Sequence, residues 1–138
     1  MINIEIEKSV SSLRLRVSGH AGYACKGRDI VCAGVSSLCQ AFLSSVKAFA
    51  ERGDFGGFSF EISDGFLSLN AVNYKNERTH YSMEAYISML YEGLRAIADA
   101  YKDYVRLYFC SEAPEGELTD IDTSEKTMTG KAGERNGI

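Results

Sequence analysis

The sequence predicts an α+β domain in which two long helices pack against a mostly antiparallel sheet, with the element order ββαββαβ. Two pairs of short segments alternate apolar and polar residues, which is the pattern of half-buried strands joined in hairpins. Two longer segments repeat their apolar residues at steps of three and four, as amphipathic helices do. Strand pairs that are separated by helices belong to the α+β class.

The first hairpin is predicted from two segments near the start of the chain. Residues 2–8, INIEIEK, and residues 12–18, SLRLRVS, each place every second apolar side chain on one face. The short gap between them favours a tight connection. A loop of ten residues follows over positions 19–28, interrupted by Gly19, Gly22 and Gly27. Because long loops in small domains often carry function, we expect a site here.

The first helix is predicted to begin after Asp29 and to end at Gly53. A carboxylate before the first turn can accept hydrogen bonds from unpaired backbone N–H groups, and glycine commonly ends a helix. The apolar face consists of Val31, Val35, Leu38, Phe42, Val46 and Phe49. Ala33, Ala41 and Ala48 widen this surface, so we expect the helix to be largely covered.

The second hairpin is predicted to turn at Asp64-Gly65, a strong two-residue turn signal, between residues 58–63 and 66–72. The cross-strand pairs counted from the turn are Ile62 with Leu67, Phe60 with Leu69 and Phe58 with Ala71. All these side chains are apolar and share one face, as a single buried side requires.

The second helix is predicted over about residues 79–103, and residues 105–109 form a last short strand. The helix has a heptad-like apolar seam, which could pack on the sheet or on a second subunit. The seam consists of Met83, Ile87, Leu90, Leu94, Ile97, Tyr101 and Tyr104.

The formal charge of −4 is unevenly distributed, because residues 114–138 hold six acidic and three basic side chains. That segment has no aromatic residue, so we predict an acidic, disordered tail after a domain of residues 1–113. Nucleic-acid binders present a basic surface, whereas the net charge here is negative, so the chain is not expected to contact nucleic acid directly; residues 1–113, which carry a charge of −1, leave a local basic patch open. We find no signal peptide and no run of about 18 apolar residues, and we expect a cytoplasmic protein without membrane contact whose cysteines stay reduced.

Cys32 and His20 lie on either side of the glycine-rich loop and are the candidate catalytic pair. As the third helical residue, Cys32 lies close to unpaired N–H groups and to the positive end of the helix dipole, which favour the thiolate. If the loop folds back, His20 can take the thiol proton and later protonate the leaving amine. The N–H groups of Cys32 and its neighbours are then expected to stabilise the oxyanion.

Three other interpretations of these residues stay open. A cysteine in an alanine-rich helix is often a small core residue, and a histidine at a strand end can be incidental. Cys25 inside the loop could form a disulfide with Cys32 in a redox sensor. A metal site from His20, Cys25 and Cys32 is disfavoured, because structural zinc takes four ligands and the chain has no CxxC pair. We therefore expect no metal and no cofactor.

The segment GHAGYACKGRDIVCAGVSSL, residues 19–38, closely resembles the signature of the bacterial ribosomal-processing cysteine proteases, the Prp family. The family pattern is Gly-His-Ala, a glycine-containing loop, Gly-x-Asp, Ile-Val-Cys-Ala and a Val-Ser pair. The eleven residues between His20 and Cys32 also match the family spacing. Gly34 departs from the pattern, because the family usually has a second alanine there.

This resemblance implies a cysteine endopeptidase domain over residues 1–113, with Cys32 as the nucleophile and His20 as the base. Asp29 and Ser36 are then supporting residues, with Asp29 either a helix cap or a third catalytic member that orients the histidine. Ser36 is expected to hydrogen-bond the loop or its own backbone. The loop residues expected to order around substrate are Gly19, Ala21, Gly22 and Gly27.

The resemblance also implies a substrate and a partner. The substrate is the N-terminal extension of a large-subunit ribosomal protein, the twenty-seventh by the usual count, cut after a Phe-Phe-type apolar motif. The family forms homodimers, so we expect a homodimer. The alternative function is a non-catalytic module that binds such a peptide during ribosome assembly, and it predicts peptide affinity that survives Cys32→Ser.

Overall fold

The computed structural model describes residues 1–112, which form five strands and two helices. The elements are β1 (Ile2–Ser9), β2 (Ser12–Gly19), α1 (Ile30–Glu51), β3 (Phe55–Ser63), β4 (Phe66–Tyr74), α2 (Glu77–Ala100) and β5 (Val105–Ser111). The predicted α+β class and the order ββαββαβ are confirmed. The predicted tail, residues 114–138, lies outside the described residues.

The five strands form a sheet in the order β3-β4-β2-β1-β5. Neighbouring strands are antiparallel except β1 and β5, which run parallel because α2 carries the chain back across the sheet. The predicted register is confirmed for Ile62 with Leu67, Phe60 with Leu69 and Phe58 with Ala71. Since Ser18 pairs with Phe66, the β3–β4 turn lies beside the end of β2.

Both helices pack against one face of the sheet, and the side chains between the two layers form the core. The strand residues Ile4, Ile6, Leu15 and Leu69 are at most 1% exposed on that face. Their polar neighbours along the strands, such as Glu5, point to the other face and are exposed. The alternation of apolar and polar residues that predicted the strands therefore arises because the helices cover only one side of the sheet.

One side of α1 is exposed, so the prediction that this helix would be largely covered is wrong. Ala33, Ala41 and Ala48 face outward, because the helix is an outer layer and buries only the stripe that faces the core. That stripe consists of Val31, Val35, Cys39, Phe42, Leu43, Val46 and Phe49. Contrary to the sequence-based expectation, α1 is long and apolar enough to cross a membrane by length and composition alone, a property that core helices share.

The first four residues of the predicted seam face inward and are covered by their own chain, while Ile97, Tyr101 and Tyr104 are partly buried. Met83, Ile87, Leu90 and Leu94 are buried in the common core. The two helices also approach each other closely at Gly34, where a methyl group would lie 3.2 Å from Cδ1 of Ile97. The departure of Gly34 from the family pattern therefore coincides with a helix–helix contact.

Candidate active site

The loop after β2 folds back over the start of α1 and, with the β3–β4 turn, borders a cleft of about 740 Å³. Almost all predicted site residues line this cleft, namely Gly19, His20, Gly22, Gly27, Asp29, Cys32 and Ser36. Ala21 is the exception, because it is buried. The fold thus gathers the candidate residues at one end of the sheet.

Asp29 joins the loop to the helix through both oxygens of its carboxylate. Oδ1 accepts hydrogen bonds from the backbone N–H groups of Val31 and Cys32, at 3.0 and 2.9 Å, and so caps α1. Oδ2 accepts from the backbone N–H groups of Tyr23 and Ala24, at 3.0 and 3.4 Å. Because all four donors belong to the backbone, this is the geometry of a helix cap and loop anchor.

The charge of Asp29 follows from these bonds. Partial desolvation acts to raise the pKa of Asp29, but the four N–H donors outweigh it and hold the pKa below its usual value of 3.8. The carboxylate is therefore ionised at neutral pH. Its charge suits the helix N-terminus, but it also opposes the field of the helix dipole at Cys32. A hydrogen-bond donor aimed at the sulfur would act in the opposite direction to this charge.

Cys32 is half-buried in the first turn of α1, and its thiol receives such a donor. The backbone N–H of Ala21 donates to Sγ at 3.3 Å, and a hydrogen bond of this kind favours negative charge on the sulfur. Cys32 also packs against the core but is only partly buried, whereas Cys39, two turns further on the same face of α1, is the buried cysteine. The Ala21 contact also ties the residue after His20 to the sulfur.

Three N–H groups of the first helical turn, including that of Cys32, are already occupied. Val31 and Cys32 donate to the Asp29 carboxylate, and Ala33 donates to the backbone oxygen of Asp29 at 3.0 Å. The expectation that Cys32 and its neighbours supply the oxyanion donors is therefore wrong for this arrangement, because the aspartate cap satisfies these groups. The N–H of Ala21 is a donor that faces the sulfur instead.

His20 follows β2 directly, and its exposed imidazole lies in the cleft against Gly65 of the β3–β4 turn. The preceding Gly19 has φ +96°, and a side chain there would collide with the backbone oxygen of Met1. Only glycine suits this junction. Within residues 1–112 no hydrogen bond joins His20 to Cys32, so proton transfer needs the exposed ring to turn toward the sulfur.

Ser36 lies one turn beyond Cys32 and is exposed at the cleft. Its Oγ accepts a hydrogen bond from Nε2 of Gln40 at 3.0 Å, so its partner is a side chain of α1 rather than the loop or its own backbone. Cys25 is exposed on the loop. Among residues 1–112, no three His, Cys, Asp or Glu side chains converge as metal ligands would.

The loop has an anchor on the other side as well. The ring of Tyr23 makes edge-to-face contacts with Tyr101 and Tyr104, with centroid distances of 5.6 and 5.2 Å. These partners follow the end of α2 and are far from Tyr23 in sequence. The only sequence signal for this contact was that Tyr23 is the one aromatic residue of the loop.

The β3–β4 hairpin gives the cleft an apolar wall that includes Ile62 and Leu67. The predicted buried face of this hairpin is only partly buried: Leu67, Leu69 and Ala71 on β4 are in the core, but Phe60 and Ile62 on β3 are 44% and 47% exposed. The reason is that β3 is an edge strand. Nζ of Lys47 lies 4.8 Å from the centroid of the Phe60 ring.

Sequence comparison assigns this fold and cleft to a family. The family model described as Cysteine protease Prp matches residues 1–106. The chain belongs to this family. It is therefore a cysteine protease, and the resemblance read from residues 19–38 is confirmed. No curated protein is significantly similar to the chain.

Solved structures of similar fold include Prp proteases. The chain is similar to the essential ribosomal processing protease Prp from S. aureus in complex with a covalently linked product peptide, with 23% identity, a TM-score of 0.58 and coverage of 79% of this chain and 99% of that one. A complex of that protease with a substrate peptide gives a TM-score of 0.54 at 23% identity and the same coverage. SMU.848 from Streptococcus mutans gives 0.58 at 22% identity, covering 81% of this chain and 96% of that one.

Within this Prp family member, sequence reasoning found the loop, Cys32 and His20, and it missed the contacts that hold them. The aromatic anchor of Tyr23 and the exposed Ile62 wall join segments that are distant along the chain, and the N–H of Ala21 reaches the sulfur only because the loop folds back. None of them has a spacing rule by which the sequence would reveal it.

Proposed function

We propose that this Prp protease is an endopeptidase that cuts an extended apolar peptide, with Cys32 as nucleophile and His20 as general base. The observation that carries the proposal is the Cys32 sulfur, which lines the same cleft as the imidazole and receives the Ala21 N–H. A half-buried thiol at a helix start, in one cleft with an exposed histidine, is an arrangement that supports acyl transfer.

The reaction that these groups support has two steps. The imidazole of His20 takes the thiol proton, and the thiolate attacks the scissile carbonyl carbon, whose π electrons move to oxygen. When the tetrahedral intermediate collapses, the C–N bond breaks and the imidazolium gives its proton to the leaving amine. Water, deprotonated by the same imidazole, then hydrolyses the thioester and restores the thiol.

The substrate we propose is the N-terminal extension of a large-subunit ribosomal protein, the twenty-seventh, cut after a Phe-Phe-type motif. The apolar wall at Ile62 and Leu67 supports this substrate, because it can cover aromatic side chains beside the scissile bond. The S. aureus protease of the same fold is described as ribosomal-processing and has been captured with substrate and product peptides, which supports the assignment further.

The decisive experiment incubates the purified protein with a synthetic peptide that contains the Phe-Phe extension and identifies the products by mass spectrometry. We expect the wild type to cut once after the aromatic pair, and Cys32→Ala and His20→Ala to leave the peptide intact. Cys25→Ser is the matched control, because it removes an exposed loop thiol and should leave cleavage unchanged. A folded wild type that binds the peptide but does not cut it would favour the non-catalytic assembly module.

We also propose a cytoplasmic homodimer without direct nucleic-acid contact, as the family resemblance implies. The buried part of the α2 seam is covered by its own chain, which leaves its partly exposed end, from Ile97 to Tyr104, and the outer side of α1 as candidate dimer surfaces. Light scattering after size exclusion should give twice the chain mass of 15.2 kDa. A mass of one chain at concentrations used for activity would exclude the dimer.

A further inference from the structure

The β3–β4 turn touches the candidate base of the active site. A methyl group built at Gly65 would lie 2.6 Å from Nε2 of His20, 3.1 Å from Cε1 and 3.4 Å from Cδ2. Non-bonded heavy atoms attract each other best at about 3.5–4.0 Å. The imidazole therefore already occupies the space that any side chain at position 65 would need.

The same turn is hydrogen-bonded to the strand end that carries His20. The backbone oxygen of Gly65 accepts a bond from the N–H of Gly19 at 2.9 Å. This bond extends the β2–β4 ladder one step beyond the pair Ser18 and Phe66. The sheet thus fixes the turn relative to the backbone of His20, and the exposed imidazole is the part that can move.

We propose that Gly65 is a positioning residue for His20. The bare Cα of this glycine leaves open the space in which the imidazole lies and from which it turns toward the Cys32 sulfur, and a methyl group at this position would take that space. The turn requires a residue that tolerates φ +71°, and the contact with His20 adds a second, independent requirement. The inference rests on the proposed pairing of His20 with Cys32.

The test separates these two requirements with a matched variant. Gly65→Ala and Gly53→Ala both place alanine at a positive φ, +71° and +79°, but a methyl group at Gly53 meets no atom within 4 Å. Both variants are compared with wild type and His20→Ala in two assays. One measures kcat and KM on the Phe-Phe peptide. The other measures the rate of Cys32 alkylation by iodoacetamide from pH 5 to 9, with the modified cysteine identified by mass spectrometry.

We expect Gly53→Ala to lose thermal stability but to keep the wild-type kcat and alkylation profile. Gly65→Ala should lose kcat by on the order of 100-fold with little change in KM, because displacing a catalytic group by about 1 Å has this effect. Its alkylation profile should take the form of the His20→Ala profile. If Gly65→Ala matches Gly53→Ala in both assays, the proposal is wrong.

A second measurement on the wild type covers the case in which Gly65→Ala does not fold. The nuclear Overhauser spectrum should show contacts between the Gly65 Hα protons and the ring protons of His20, and their absence would overturn the proposal. A wild type that shows these contacts but fails to cut the peptide would count against the proposed function and leave the positioning contact standing.

Discussion

Asp29 connects the start of α1 to the loop because each of its two carboxylate oxygens accepts two backbone N–H bonds. An asparagine would still cap the helix, but it offers one acceptor oxygen and would turn an NH₂ group toward the remaining donors. The charge and the second oxygen are therefore what distinguish aspartate at this position. Both should be visible in the pH dependence of stability.

The Asp29→Asn variant should be less stable than wild type at pH 7, and the difference should shrink in acid. A carboxyl whose folded pKa lies below its unfolded value contributes stability above the unfolded value, and this contribution is lost as pH falls through the folded value. For Asp29 the window therefore lies below the usual value of 3.8. Melting temperatures of both proteins from pH 7 to pH 2.5 measure this change in the stability difference. Asp103→Asn is the control, because Asp103 is exposed. A difference that stays constant, or one that the control reproduces, would contradict this role.

Burial separates the cysteines into reactive and inert thiols. Cys39 is 1% exposed, and burial raises its pKa to about 12, so it lacks both access and thiolate at neutral pH. We expect iodoacetamide at pH 8 to modify Cys25 and Cys32 in the native protein and to spare Cys39 until denaturant is added. Peptide mapping measures this order. Native labelling of Cys39 as fast as Cys25 would show that α1 opens readily.

At the level of elements, the loop over positions 19–28 is held at three points. Asp29 binds its backbone, the Ala21 N–H binds the Cys32 sulfur, and Tyr23 packs on Tyr101 and Tyr104. The first two contacts are local to the site. The third connects the site to the end of α2, so the packing of α2 bears on the loop.

Tyr23→Ala should release the loop while leaving the domain folded. Aromatic pairs of this kind contribute about 0.5–1.5 kcal/mol each beyond area burial, so the loop should open more often. We expect faster tryptic cleavage after Lys26 and Arg28, which are exposed on the loop. Tyr81→Ala is the control, because Tyr81 is 70% exposed. Equal cleavage rates in wild type and Tyr23→Ala would mean that the aromatic contact does not restrain the loop.

Across the whole molecule, one face of the sheet serves two purposes. Its centre is covered by the two helices and stabilises the fold, as Leu69 at 0% exposure illustrates. Toward the edge strand the same face is open, and Ile62 contributes to the cleft wall. Stability and substrate binding should therefore respond to different substitutions on neighbouring strands.

Leu69→Ala should reduce stability and leave activity nearly unchanged, whereas Ile62→Asp should reduce activity and leave stability nearly unchanged. Truncating the buried leucine should cost about 2–5 kcal/mol of unfolding free energy, with kcat/KM nearly unchanged while the protein remains folded. A carboxylate at the exposed position 62 should change the melting temperature little and reduce kcat/KM for the apolar peptide by raising KM. Chemical denaturation and peptide kinetics on both variants test this. An Ile62→Asp variant with normal KM would remove Ile62 from the binding wall.

The sequence by itself determined the fold class, the order of elements and the register of the second hairpin, because periodicity and turn chemistry are local properties. The pairing of Ile62 with Leu67 needed only the Asp64-Gly65 turn and a count of residues. The motif of residues 19–38 likewise pointed to the family, since its spacing lies within one short segment.

Only the tertiary structure decided which faces are covered and which groups meet. The alanines of α1 are apolar yet exposed, because the number of layers and not the residue type determines whether a second side of a helix is buried. The N–H groups of Val31 and Cys32 donate to Asp29, and Gly65 of the second hairpin lies against the imidazole of His20. These contacts depend on the positions of the loop and the hairpin in the folded protein, and the spacing of residues along the chain does not predict those positions.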